Sequence, residues 1–218
     1  MFELIKIGNH NVIDLAEYRF KAKFILGGYH SVQFNLNGSV RRLNAMDPNI
    51  DRSVFRDLSY GLYIVTSKDA DRMNGQIVNT VIQVTSEPPR IAVIINKKNY
   101  THELIVKSKV FSASVLEEST PMTFLGPFGF RSGRDFDKLS KVSFQEGITG
   151  CPLITEHALS VLEAEVINQV DLGTHTVFIG NVLRSEVLNQ GTPLTYKYYH
   201  TILKGKSPPN APTFEAKK

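Results

Sequence analysis

The 218 residues carry 42% apolar and 21% charged side chains and a formal charge of +4, which suits one globular domain, or one domain with an extension, and excludes a disordered or collagenous chain. No apolar run is long enough for a membrane-spanning helix, the N-terminus lacks the charged-then-apolar layout of a secretory signal, and the basic residues are scattered rather than gathered into a nucleic-acid-binding stripe. The lone cysteine, Cys151, excludes an internal disulfide and any metal site that needs two or more cysteines of one chain. The chain therefore reads as a soluble cytoplasmic protein, with no membrane and no nucleic acid as partner.

Residues 1–45 hold six basic side chains against three acidic ones, and so three of the four net positive charges. They show no sustained period, and Gly27-Gly28 and Asn37-Gly38 punctuate them. Asp47-Pro48 ahead of Arg52 to Leu58 has the form of a helix start, so Met46 reads as the natural beginning of the domain. Three accounts fit the leading segment: a non-native upstream start, a packed extension with a hairpin at Asn37-Gly38, or an organelle-targeting peptide.

From Met46 onward the pattern is mainly β. Tyr60 to Ser67 is an apolar, β-branched run. Gln76 to Thr85 alternates in part and follows a predicted turn at Asn74-Gly75; Arg90 to Asn96 is strongly apolar after Pro88-Pro89. Thr101 to Lys107 has helical character, with Thr101 placed to cap it and Glu103 near the positive end of its dipole. Val110 to Leu116 is another strand, and Leu125 to Ser140 reads as Gly-rich, charged and irregular. Ala158 to Val170 puts Leu162, Ala164 and Val166 on one face and Glu163 and Glu165 on the other. Thr174 to Leu188 is a long strand, and Tyr196 to Leu203 closes the domain. Six or more strands with short helices argue for an antiparallel barrel over βαβ units. The tail, residues 204–218, carries Pro208, Pro209 and Pro212 and reads as an extended arm or linker.

Several motifs fail. There is no G-x-G-x-x-G and no G-x-S-x-G. Gly205-Lys206-Ser207 resembles the end of a phosphate loop, but His200 stands where the earlier glycine is needed, and Pro208-Pro209 forbid the following helix. His102-Glu103 begins a zinc-protease pattern that Val106 ends. Cys151, in Gly150-Cys151-Pro152 before an apolar strand, reads as a buried free thiol, with a redox thiol as the alternative. What remains is a set of strand ends and loops. Asn79-Thr80 is a polar pair in an apolar strand, which costs free energy unless something bonds to it. Thr85-Ser86-Glu87-Pro88-Pro89 is a rigid hydroxyl-bearing turn. Lys97 to His102 joins a buried strand to a helix N-terminus, offering backbone N–H groups, two ammonium groups and a hydroxyl suited to a phosphate. Each also has a plain structural use: a strand amide, a cap, a solvated loop.

The stretch YGLYIVTS…NGQIVNTVIQVTSEPPRIAVIINKKNYTHELIVKSKVFSASVL, followed by FGFRSGRDFDK, GTHTVFIGNV and PLTYKYYH…GKSP, resembles the flavin reductase-like, FMN-binding split-barrel family. It is most similar to the flavin reductase half of high-molecular-weight rubredoxins of anaerobes. The resemblance spans about Met46 to Phe214; residues 1–45 match nothing in it. It implies a mainly β, six-stranded split β-barrel with Greek-key character and short helices, forming a homodimer. Residues 46–203 would be the FMN-binding domain. It also implies site roles: Val78, Asn79 and Thr80 along the ring edge; Thr85 and Ser86 on ribityl or ring oxygens; Lys98, Asn99, Thr101 and His102 around the phosphate; Tyr199 and His200 closing the pocket; and His175 on the nicotinamide side as the catalytic residue. No metal site is implied. The implied activity is NAD(P)H-dependent reduction of bound FMN, with electrons passed to a rubredoxin, a flavodiiron protein or free flavin. The alternative is an FMN-binding electron-transfer module without significant NAD(P)H activity.

Overall fold

The computed structural model of the protein describes Asp51, residues 54–55 and residues 57–213 in full and, ahead of them, the backbone of five short strands. The expected boundary at Met46 and the helix start at Asp47-Pro48 lie outside the described residues. The chain divides into two compact units, Met1–Arg56 and Asp57–Lys218. In the first, β1 (Leu4–Lys6) pairs antiparallel with β2 (Val12–Asp14), and β3 (Phe24–Leu26), β4 (His30–Phe34) and β5 (Val40–Leu43) form a three-stranded antiparallel sheet in that order. β4 and β5 flank Asn37-Gly38 in sequence and set Phe34 opposite Val40.

The second unit is built on one antiparallel sheet. Its elements are β6 (Tyr63–Asp69), β7 (Arg72–Val78), β8 (Val81–Ser86), β9 (Pro89–Asn96), α1 (Tyr100–Ser108), β10 (Val110–Leu116), α2 (Met122–Phe130), β11 (Phe144–Glu146), β12 (Pro152–Ile154), β13 (Ala158–Asp171), β14 (His175–Val187) and α3 (Tyr196–Thr201). The seven-stranded order is β7-β6-β10-β13-β14-β9-β8, and β11 and β12 pair separately. The two edge strands, β7 and β8, are consecutive in the chain, so this mainly β sheet opens at the seam between them, as in a split barrel. The long β13 and β14 register Val170 with Val177 and turn at Gly173, whose φ of +84° only glycine adopts without strain.

Several local expectations are corrected. The single strand expected from Gln76 to Thr85 is two strands, interrupted at Asn79-Thr80, which brings the sheet to seven strands. Asn74-Gly75 is not a turn but lies inside β7; the chain turns at Ala70, in the left-handed region at φ 51°. Glycine stands at 75 for space: a Cβ there would lie 3.1 Å from both the Phe128 ring and Thr66 Cγ2. The segment expected to be irregular begins inside a nine-residue helix, α2, because Phe124, Leu125 and Phe128 bury one apolar stripe despite Pro127. The cap of α1 is Asn99, not Thr101, which sits fully buried in the first turn.

Alternation from Leu62, just ahead of β6, into the strand feeds both faces of the sheet. Leu62 and Ile64 pack with Leu116, Leu125, Phe128 and Tyr199 on one side, while Val65 packs with Val93, Ile105, Phe111 and Phe178 on the other. The second cluster requires close backbone approach at Gly180, where a Cβ would stand 2.8 Å from Ala164 Cβ and from the Phe111 ring. Gly180→Ala should therefore lose about 1–3 kcal/mol of unfolding free energy by overpacking. Gly126→Ala, in α2 where an added Cβ meets nothing within 4 Å, should gain about 0.5–1 kcal/mol. Denaturant unfolding of the two variants checks the packing, and equal effects would contradict it.

Candidate functional site

β7 supplies one wall. Asn74, Gln76 and Val78, two residues apart, share a face and are all buried. Asn74 Nδ2 donates to Thr101 Oγ1 at 2.7 Å, tying the strand to the first turn of α1. Gln76 Oε1 is buried without a hydrogen-bond partner. Such an acceptor carries an uncompensated desolvation cost of about 1–3 kcal/mol, which a donor on a bound molecule would remove.

Across from it, Lys138 is only 6% exposed. Its Nζ donates to the Gly75 carbonyl at 2.9 Å and reaches the Phe128 carbonyl at 3.5 Å. No carboxylate pairs with it among the described residues. Burial alone pulls its ammonium down from 10.5 to about 8.

The β9–α1 connection forms the rim. Lys98 N donates to Asn96 Oδ1 at 3.0 Å, which fixes the loop ahead of the helix. Arg134 donates to the Lys98 carbonyl at 3.2 Å, pairs with Glu103, and lies 5.3 Å from the centre of the Tyr100 ring. The first turn of α1 leaves backbone donors without intrahelical acceptors at this rim.

The tail closes the remaining side. In place of an extended arm, residues 204–213 lie against the domain. Asn210 Nδ2 donates to Asn99 Oδ1 at 3.0 Å, Asn79 Nδ2 to Thr213 Oγ1 at 3.3 Å, and Tyr199 Oη to the Lys206 carbonyl at 3.0 Å. Tyr196 Oη shares a short contact with Ser207 Oγ and lies 2.5 Å from Thr213 Oγ1.

These walls enclose a cavity of about 340 Å³, within the range of small-molecule sites. Leu62, Ile77, Leu125 and Phe128 give it an apolar floor. Five cationic side chains line it, Lys98, Arg131, Arg134, Lys138 and Lys206, and no lining residue is acidic. That imbalance raises the local concentration of anions and favours a ligand carrying negative charge.

The structure brings together Val78, Asn79, Lys98, Asn99 and Tyr199 of the residues expected from sequence. It places the others outside the cavity lining. Thr80 Oγ1 donates to the Ile94 carbonyl at 3.0 Å, holding the seam between β7 and β8 to β9. Thr85 and Ser86 stand at the β8–β9 hairpin, where Thr85 Oγ1 donates to the Pro88 carbonyl at 2.6 Å. Thr101 lies behind the wall, bonded to Asn74. His102 Nε2 shares a 2.8 Å hydrogen bond with Thr176 Oγ1, and its ring lies against Phe178. Burial, then the Lys97 charge, lowers its pKa. His175 has Nδ1 2.9 Å from Thr174 Oγ1 and Nε2 3.5 Å from Asn96 Nδ2. Burial lowers its pKa, and a backbone hydrogen bond with Asn210 opposes the shift. It thus stands beside two residues that do line the cavity, Asn96 and Asn210. His200 Nδ1 meets the Gly205 carbonyl at 2.8 Å and helps pin the tail. Cys151 is buried and its thiol pKa is raised by burial, in keeping with an inert thiol.

Gln76, Lys138, Arg131, Arg134 and the inner face of the tail escaped the sequence reading. Gln76 carried a faint signal, a polar residue inside an apolar alternation. Lys138 carried none, since a lysine among Asp135, Asp137 and Ser140 reads as surface.

Residues 55–202 match the model of the flavin reductase like domain family. The chain belongs to this family. A high molecular weight rubredoxin of Moorella thermoacetica is 48% identical over 165 residues, 76% of this chain and 72% of that relative. A ferric-chelate reductase (NAD(P)H) of Archaeoglobus fulgidus is 49% identical over 169 residues, 77% of this chain and 100% of that relative. Among solved structures, an FMN-binding protein from Thermus thermophilus with bound 1-cyclohex-2-enone superposes with a TM-score of 0.58 at 26% identity, covering 67% of this chain and 80% of that one. The fold is therefore the family's split barrel, and this flavin reductase-like chain is an oxidoreductase.

The Lys138 shift has a sign that experiment can read. Its native pKa, about 8, lies below the ordinary 10.5, so below pH 8 the native state carries the full cost of a buried charge. As pH rises from 8 toward 10.5 the native state loses its proton before the unfolded chain does, and stability rises. The unfolding free energy of the native sequence minus that of Lys138→Met should increase over this range by up to about 3 kcal/mol. Urea titrations at pH 7 to 10 measure it, and a flat difference would contradict the buried-charge assignment.

Proposed function

We propose that the cavity binds FMN and that the chain uses NAD(P)H to reduce it, delivering the electrons to an acceptor outside the chain. The observation that carries the reading is the cavity itself: an apolar floor, an unpartnered buried amide oxygen on Gln76, and five cations with no acid among its lining residues. A flavin mononucleotide presents the matching set: a flat apolar ring, a polar ring edge and one phosphate. Lys98, Asn99 and the first turn of α1 would hold the phosphate. Gln76, Val78 and Asn79 would meet the polar edge of the ring, and Tyr199 with the tail would bound the cavity on its remaining side. Thr80, Thr85, Ser86, Thr101 and His102 have no place in the lining and act in this reading as structural residues.

When bound, FMN supplies a ring that accepts hydride and hands on electrons. The chain's own work is to bind and orient it, to exclude water from one face, and to stabilise negative charge through fixed dipoles and cations. No general base is required, and His102, His175 and His200 each hydrogen-bond a hydroxyl, amide or carbonyl rather than a carboxylate. His175, next to Asn96 and Asn210, fits the entrance where a nicotinamide would approach. A pure electron-transfer module is the second reading, and it would bind FMN without reacting with NAD(P)H.

The relatives' names suggest the acceptor class: a rubredoxin or an iron chelate, with a flavodiiron protein and free flavin as further candidates. No helix among the described residues is long and apolar enough to cross a membrane, and we place the protein in the cytoplasm. Exposed apolar side chains on the sheet, Ile82, Val84, Ile167, Val170 and Leu183, with Leu172 in the β13–β14 turn, fit coverage by a second copy, and we propose a homodimer.

Anaerobic mixing of the FMN-loaded protein with NADH or NADPH should bleach the flavin absorbance within the turnover time of the enzyme. Bound flavin that stays oxidised would favour the second reading. Light scattering on the same sample should give twice the chain mass, and a monomer that retains flavin would overturn the dimer.

A further inference from the structure

Lys138 has the surroundings of a charge awaiting a counter-charge. It is buried, it lines the cavity, and it contacts only two backbone carbonyls, of Gly75 and Phe128. No carboxylate among the described residues pairs with it, and no acidic residue lines the cavity. An ammonium has three donors, and the two carbonyls leave one of them unassigned. Burying an unpaired charge is costly even after relaxation, so a lysine used only to cover the Gly75 carbonyl would be an expensive cover.

Its position within the cavity narrows the ligand group it serves. Lys98, Arg134 and the first turn of α1 stand together at the rim, where the phosphate lies in the flavin reading. Lys138 instead contacts the carbonyls of Gly75 on β7 and Phe128 on α2, beside the buried Gln76 and near the apolar floor of Leu125 and Phe128. In the flavin reading, the apolar surface of Leu125 and Phe128 makes that part of the cavity the place for the ring.

We propose that Lys138 is the electrostatic partner of the reduced flavin ring, binding the two-electron-reduced form more tightly than the oxidised form and so raising its potential. The inference rests on the flavin reading above. The charge balance is simple. NAD(P)H gives up a hydride and becomes NAD(P)⁺, and the ring gains that hydride, two electrons and one proton in all, hence one negative charge. Below about pH 8 Lys138 keeps its proton and faces that charge across a low-dielectric wall, where a fixed cation stabilises more than it does in water.

The test compares the native sequence, Lys138→Met and Lys138→Arg, each loaded with FMN. Fluorescence quenching first gives the affinity for oxidised FMN, and spectroelectrochemistry then gives the two-electron midpoint potential. Lys138→Met should lower the preference for reduced over oxidised flavin at least tenfold, which for a two-electron couple is about 30 mV more negative. Lys138→Arg, which keeps the charge, should stay within threefold of the native preference. An unchanged potential in Lys138→Met would overturn the proposal and leave Lys138 as a cover for an edge carbonyl. If Lys138→Met does not fold, Lys138→Gln, which keeps a donor for the Gly75 carbonyl but no charge, is read against the same two outcomes. Failure of the native sequence to bind FMN at the first step would instead overturn the flavin reading itself.

Discussion

An edge strand must be covered or it exposes a row of unpaired backbone groups, and β7 is an edge strand with polar side chains buried along it. Its covering explains most of what surrounds the cavity. α1 is tied to it by Asn74 and Thr101, and Lys138 caps the Gly75 carbonyl and reaches Phe128 in α2. The tail reaches back to Asn79 at its far end. The cover is incomplete, and the space left between strand, helices and tail is the cavity. The site is thus a consequence of where the sheet opens, at the seam between β7 and β8.

Charge then selects what can fill that space. A cavity with five cationic side chains and no acidic one is unfavourable when filled only by water, since the cations repel one another and one of them is buried. A mononucleotide with a flat ring relieves both the charge imbalance and the unpaired oxygen of Gln76. Membership of the flavin reductase like family rests on the sequence match and is independent of this argument. The two lines agree on the class of ligand. Gln76 and Lys138 join the cavity through burial and charge, outside the residues that the family resemblance implies.

The β character of the chain was legible because strand alternation and β-branched runs are local signals. Val110 to Leu116, Ala158 to Val170 and Thr174 to Leu188 all appear nearly as read. Turn chemistry misled at Asn74-Gly75, because glycine there answers to the Phe128 ring, a contact more than fifty residues away in sequence. The same limit hid Lys138, whose burial depends on β7 and α2 closing over it. A threonine ahead of a helical pattern suits a cap, yet Asn99 takes that position and the Thr101 hydroxyl faces Asn74. Residues that line the cavity through strand ends and the β9–α1 loop were legible, namely Val78, Asn79, Lys98 and Asn99. Those contributed by a folded-back tail were not, because prolines specify an extended backbone and not the surface it lies on.

The central claim is that a cationic cavity selects a flavin by its phosphate as well as its ring. The most direct measurement is a titration of the protein with FMN and with riboflavin, followed by fluorescence quenching at low and high salt. The account predicts that FMN binds at least tenfold more tightly at low salt, about 1.4 kcal/mol, and that the gap narrows as salt screens the rim. Equal affinities for the two flavins, unchanged by salt, would contradict it.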